Sequence, residues 1–197
     1  MKLVAVVVVK AFTSSEANMF RDTALDVRRE VEATLIPSGV KVTLQPGSQV
    51  RVTQALGNSY TVYVNGNLVR IDGKDGDALG LIILDEPDIN AQDGPIEDKI
   101  WSQMRTCFDP EIPVNIVDLG LVYTCDVLPL GKSNYHVAIT MTLTAVGCGM
   151  GPVLVGEVEE KIRKIHGVTE VKVELVFDPP WARDKMSDEA KLQLGLL

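Results

Sequence analysis

"YHVAITMTLTAVGCGMGPVLVGEVEEKIRKIHGVTEVKVELVF" runs from Tyr135 to Phe177, and its periodicities decide the fold. Tyr135, Val137, Ile139, Met141 and Leu143 alternate with His136, Ala138, Thr140, Thr142 and Thr144, the pattern of a strand with one polar face. A glycine-bearing loop follows, and Pro152 stands where a helix opens. Val155, Val158, Ile162 and Ile165 give that helix an apolar stripe, with Glu157, Glu159, Glu160, Lys161 and Arg163 mostly on its other faces. Gly167 is placed to end it in the left-handed conformation. Val171, Val173, Leu175 and Phe177 then alternate as another strand.

Working outward, Ile96, Ile100, Met104 and Phe108 recur every four residues behind Pro95. This spacing predicts a helix to about Phe108, stopped by Asp109-Pro110 because a residue before proline avoids the α region. Leu121 to Leu128 reads as a strand, and Gly131-Lys132-Ser133-Asn134 as the turn after it. The order α-β-β-α-β predicts a two-layer α+β domain over residues 95–197, with helices on one face. Ser187, followed by Asp188 and Glu189, predicts a short last helix.

Upstream, residues 20–84 read as a small all-β domain, barrel-like or a compact antiparallel sheet of about five strands. Turn signals at Pro37-Ser38-Gly39, Pro46-Gly47-Ser48 and Gly57-Asn58 separate runs rich in Val, Thr and Tyr. Asn65-Gly66 is the pair favoured in a two-residue type I′ hairpin. No nucleophile–base set lies here, so a scaffold or docking role is expected. The acidic, Pro- and Gly-bearing stretch from Asp85 predicts a linker over 85–94. Residues 1–19 are an extension of uncertain status. Its apolar run, Leu3 to Val9, is too short to span a bilayer and lacks a signal-peptide cleavage site, and Met19 offers an alternative start.

The chain carries a net charge of −8, with 46% hydrophobic and 23% charged residues. Such an acidic chain without a basic block is a poor partner for nucleic acid or an anionic membrane. Cys107, Cys125 and Cys148 are odd in number and far apart, with only two histidines. A disulfide framework and a tetrahedral zinc site are therefore not expected, and a reducing, cytoplasmic setting is.

Cys148 stands apart because Gly147, Gly149 and Gly151 surround it ahead of a helix N-terminus. The glycines remove covering side chains, and a helix N-terminus favours thiolate over thiol. Exposure and thiolate character are what a metal ligand or a nucleophile needs. Cys107 and Cys125 read as small core hydrophobes. Between Asp109 and Tyr123, turn chemistry accounts for Asp109 and Asp118, whereas Glu111 between two prolines has no evident capping role.

Asp109-Pro110-Glu111-Ile112-Pro113, Val117-Asp118-Leu119-Gly120-Leu121, and Thr142-Leu143-Thr144 followed by Gly147-Cys148 resemble the PaaD-like domain of iron–sulfur assembly factors. The form Gly147-Cys148-Gly149-Met150-Gly151, the tail Asp178-Pro179-Pro180-Trp181 and stretches of the N-terminal half resemble the SufT-type members. This resemblance implies a non-enzymatic auxiliary factor of the SUF system that helps deliver clusters to client apoproteins. It implies Cys148 as the iron or cluster contact, with Glu111, Asp118, Thr144, Gly147, Gly149 and Gly151 in support. The related Nfu carriers have a CxxC, where this chain has Cys148-Gly149-Met150-Gly151. One thiolate per chain against the four that clusters commonly take implies no stable cofactor, but a transient cluster shared between two chains. The expected partners are assembly machinery, client apoproteins and a second copy of the chain. Two other readings stay open: an adaptor without cluster contact, and a thiol enzyme, which would need a base that neither His136 nor His166 supplies nearby in sequence.

Overall fold

The structure is a computed structural model, and it describes residues 24–81, 83, 88–131 and 133–197. The reading of residues 1–19 as an extension of uncertain status lies outside the described residues.

The N-terminal half is one six-stranded sheet with all its pairs antiparallel. Its strands are β1 (Ala24–Asp26), β2 (Val31–Ile36), β3 (Lys41–Leu44), β4 (Gln49–Leu56), β5 (Ser59–Val64) and β6 (Asn67–Asp72). The order is β1-β4-β5-β6-β2-β3, with no pairing between the end strands β1 and β3 among the described residues. The strand beyond the predicted five is the three-residue β1, too short to show a period. Asn65 and Gly66 join β5 to β6 with φ of 48° and 84°, the positive values a type I′ turn requires. Val31, Ala33, Val52, Tyr60, Val62, Val69 and Ile71 pack one core with Ala78 and Leu79 of the 3₁₀ segment Gly73–Leu79. Thr34, Arg70 and Thr61 stand side by side across β2, β6 and β5. Both threonines are buried, so this second sheet face is covered too.

The C-terminal half follows the α-β-β-α-β order: α1 (Ile96–Met104), β7 (Val122–Gly131), β8 (Asn134–Met141), α2 (Gly151–Arg163), β9 (Val168–Leu175) and the short α3 (Asp188–Gln193). In the sheet, β7 and β9 flank β8, antiparallel and parallel respectively. Val137, Ile139 and Met141 face Ile100, Met104, Leu154, Val158 and Ile162 in a second core.

Several boundaries differ from the periodicity. Helix α1 ends at Met104 rather than Phe108. There the Thr106 hydroxyl donates to the Gln103 carbonyl at 2.7 Å, the Cys107 amide donates to Met104, and Phe108 is drawn into a bridge with Asn115. Strand β8 ends at Met141, although the alternation continues to Thr144. Its last pairs are with Val122 at the start of β7 and Leu175 at the end of β9, so neither flanking strand continues. The predicted linker is partly built into the C-terminal half. Asp88 caps a turn at Ile89–Ala91, Ile89 is buried in the second core, and Asn90 bonds Lys164 and His166 across the end of α2. No helix among the described residues is long and apolar enough to cross a membrane.

Candidate functional site

The end of β8, the loop Ala145–Gly149 and the start of α2 form the candidate site. With its ladder ended at Met141, the chain turns through Thr144, and the Cys148 amide donates to the Ala145 carbonyl at 3.4 Å. The Gly151 amide donates to the Cys148 carbonyl at 3.1 Å, which leads into α2. Gly151 is buried between strand ends, where a Cβ would lie 2.9 Å from Leu143 Cδ1 and 3.1 Å from Leu175 Cδ1. Thus α2 sits tightly on the sheet directly after the cysteine. Gly147 is exposed, and Val146 beside it is 75% exposed, an apolar side chain held out to solvent.

Cys148 itself is half-buried. The glycines that suggested a bare loop admit another backbone instead. Cys148 Sγ lies 3.9 Å from the Pro37 carbonyl, in the β2–β3 turn of the N-terminal half. A Cβ on Gly149 would stand 2.1 Å from the Ser38 carbonyl oxygen, and one on Gly39 would stand 2.2 Å from that of Gly149. Only glycine at both positions lets these backbones meet. The turn Pro37-Ser38-Gly39 was legible as a turn, but nothing local in the sequence signals a contact 111 residues away.

The other thiols differ. Cys107 is fully buried, and Cys125 packs against the second core. Burial, aided by Asp126 and Glu97, pushes the Cys125 thiol up to about 11. At neutral pH that thiol stays protonated.

A second cluster braces the loop from beneath. Asp109 is buried, and its Oδ1 accepts the amides of Glu111 at 2.9 Å and Ile112 at 2.8 Å. Its Oδ2 accepts the Thr144 hydroxyl at 3.4 Å. Burial raises the Asp109 pKa above the ordinary carboxylate value, while the two amides and the hydroxyl pull the other way. Asp109 therefore ties the Asp109–Pro113 turn to the strand exit that leads to Cys148. The sequence showed it only as a turn-former, and its burial was the missing signal. The Glu111 side chain is exposed.

Asp118 belongs to a neighbouring turn. Its Oδ2 accepts Asn115 Nδ2 at 2.6 Å, and its carbonyl accepts the Ser187 amide. The tail straps this turn: Trp181 Nε1 donates to the Leu119 carbonyl at 2.8 Å, and the Tyr123 hydroxyl donates to the Pro179 carbonyl at 2.8 Å. Gly120, with φ of 70°, passes beneath the tail, where a Cβ would stand 2.2 Å from the Lys185 carbonyl oxygen. The structure thus brings Thr144, Gly147, Gly149 and Gly151 together with Cys148, and attaches the backbone of Glu111 through Asp109. The hydrogen bonds of Asp118 go to its own turn and the tail.

Neither histidine is placed to serve the thiol. His136 is near the far end of β8, with Nδ1 3.2 Å from the Glu170 carboxylate. His166 lies past the C-terminal end of α2, a helix of 13 residues whose N-terminus follows Cys148. That length corresponds to about 20 Å. No group of three or more His, Cys, Asp or Glu residues gathers as a metal site among the described residues.

A half-buried thiol stands on a braced glycine loop between a strand exit and a helix start in an α-β-β-α-β fold. Residues 97–174 match the family model described as "Iron-sulfur cluster assembly protein". The chain is 46% identical over 101 residues to the Fe-S protein maturation auxiliary factor of Porphyromonas gingivalis, a match covering 51% of this chain and 92% of that relative. It is 41% identical over 101 residues to the Fe-S protein maturation auxiliary factor YitW of Bacillus subtilis, with 51% and 95% covered. With the Fe-S protein maturation auxiliary factor SufT of Staphylococcus aureus it shares 40% identity over 88 residues, with 45% and 96% covered. The chain belongs to the iron–sulfur cluster assembly protein family. The six-stranded half lies outside the residues that the family model matches.

Proposed function

We propose that this chain is an auxiliary factor in the maturation of iron–sulfur proteins, and that Cys148 contacts iron or a cluster in transit to client apoproteins. The observation that carries this reading is the placement of Cys148. It is a half-buried thiol on a loop held by Asp109, Thr144 and the start of α2, whereas Cys107 is fully buried and the Cys125 thiol is held protonated. The family membership supports an iron–sulfur cargo. One thiolate per chain is too few for a cluster, so a cluster in transit is shared between two copies of the chain. Val146, exposed beside the thiol, offers an apolar contact for the recipient surface.

The separation of both histidines from Cys148 supports a role other than thiol catalysis. A nucleophilic mechanism needs a base within hydrogen-bond reach. The partners under this proposal are assembly proteins and client apoproteins. The test is complementation. In cells lacking the protein, the wild type restores the activity of iron–sulfur enzymes, and Cys148→Ser, although folded, restores less than a tenth of it. Full restoration by Cys148→Ser would remove the ligand role and leave an adaptor.

A further inference from the structure

The six-stranded half makes a specific contact with the cysteine loop. Its β2–β3 turn sits on Cys148 and Gly149, with the Pro37 carbonyl 3.9 Å from the thiol. Paired glycines, Gly39 and Gly149, set the approach so close that a Cβ on either would collide with backbone of the other half. Ile36 and Met150, next to this contact on either chain segment, are both buried yet belong to neither hydrophobic core. Gly57 makes a second backbone approach, to the Thr106 carbonyl.

Along α2 the junction is polar. Arg70 of β6 pairs with Glu157 of α2 at 2.5 Å, with side chains only 15% and 13% exposed. Lys161, also buried, joins Glu157 at 3.2 Å and the Thr106 carbonyl at 2.9 Å. Beside this network lies a cleft of about 360 Å³ between β2, β3 and β6 on one side and α2 on the other. Of its lining residues, Asn58 has an Oδ1 atom buried with no partner among the described residues, and Gly156 has no described atom within 4 Å of where its Cβ would stand. Among the described residues, the two hydrophobic cores are separate. Junctions built of polar contacts and clefts resemble transient interfaces, across which relative motion is the default.

We propose that the six-stranded half is a removable cover for Cys148. In the closed arrangement the Pro37–Gly39 turn occupies the loop surface that a client or a second chain must reach, and the Arg70–Glu157 pair is the latch. Opening separates the halves along the cleft and bares the thiol, leaving both cores intact. Arg70 can release Glu157 at low cost to the C-terminal half, because Lys161 remains to neutralise the carboxylate.

The purpose of the cover rests on the proposed function, but its existence is read independently of it, by the alkylation rate of Cys148 in the full chain. Iodoacetamide labelling at neutral pH, resolved by residue with mass spectrometry, compares the wild type with Gly39→Ala, which wedges the turn off the loop, and Arg70→Gln, which removes the latch. Both variants are expected to raise the Cys148 rate about tenfold or more, while buried Cys107 stays as protected as in the wild type. Rates within twofold of the wild type in both variants would overturn the cover. So would a rise at Cys107 in step with Cys148, since exposure would then come from general unfolding. Arg70→Gln adds no atom to the contact and keeps the test valid where Gly39→Ala disturbs the turn itself. Failure of Cys148→Ser to affect client maturation would sink the functional reading and leave these rates unchanged, so the two are separable.

Discussion

Asp109 is buried where a carboxylate is costly, yet it holds two backbone amides and the Thr144 hydroxyl. Burial raises its pKa, so the folded chain binds that proton more tightly than the unfolded chain does. Stability contributed by this group is therefore fully present below the unfolded value of about 4 and falls as pH rises through the raised folded value. Asp109→Asn keeps the acceptor for both amides and removes the titration. Its stability relative to wild type is expected to improve steadily from pH 4 through the mildly acidic range, as measured by urea unfolding at a series of pH values. A difference that does not change with pH would show that Asp109 has no shifted titration. Cysteine identity alone did not reveal this residue's importance. The sequence showed a turn-former before a proline, and only packing made it the brace of the loop.

At the scale of elements, α2 is anchored at one end and spacious along one side. Gly156 lies inside the helix, and a Cβ there meets no atom within 4 Å. Gly156→Ala is expected to raise stability by about 0.5–1 kcal/mol, since glycine in a helix interior costs that much against alanine. Gly120→Ala should behave in the opposite way. A left-handed backbone costs a non-glycine residue about 1–2 kcal/mol, and the Lys185 carbonyl blocks the added carbon. A loss of about 2 kcal/mol or more is expected, with the tail released from the Leu119 turn. Equal melting temperatures for the two variants would contradict this account of the glycines. The elements themselves were largely legible, because the alternation in β8 and the apolar stripe in α2 are local periods. Their ends were less so. The alternation runs on to Thr144, but β8 stops where its neighbours stop, and α1 stops where Thr106 bonds back to Gln103.

Across the whole molecule, contacts between the halves escaped the sequence altogether. Glu157 read only as a charge on the faces of α2 away from its apolar stripe, yet it is half-buried at the junction, because Arg70 meets it from an element far away in sequence. Likewise, Gly149 read as a residue that uncovers a thiol, and it is the residue that lets the Ser38 backbone approach. Both contacts have one physical origin: a residue's own neighbours in sequence say nothing about what a distant part of the chain will lay against it. The proposed function rests on one atom, the sulfur of Cys148. The most direct measurement is the charge-transfer absorption of the full chain reconstituted anaerobically with iron and sulfide, compared between the wild type and Cys148→Ser of matched melting temperature. Visible absorption is expected in the wild type, accompanied by a shift from monomer to dimer, with loss of both in the variant. Undiminished absorption in Cys148→Ser would contradict it.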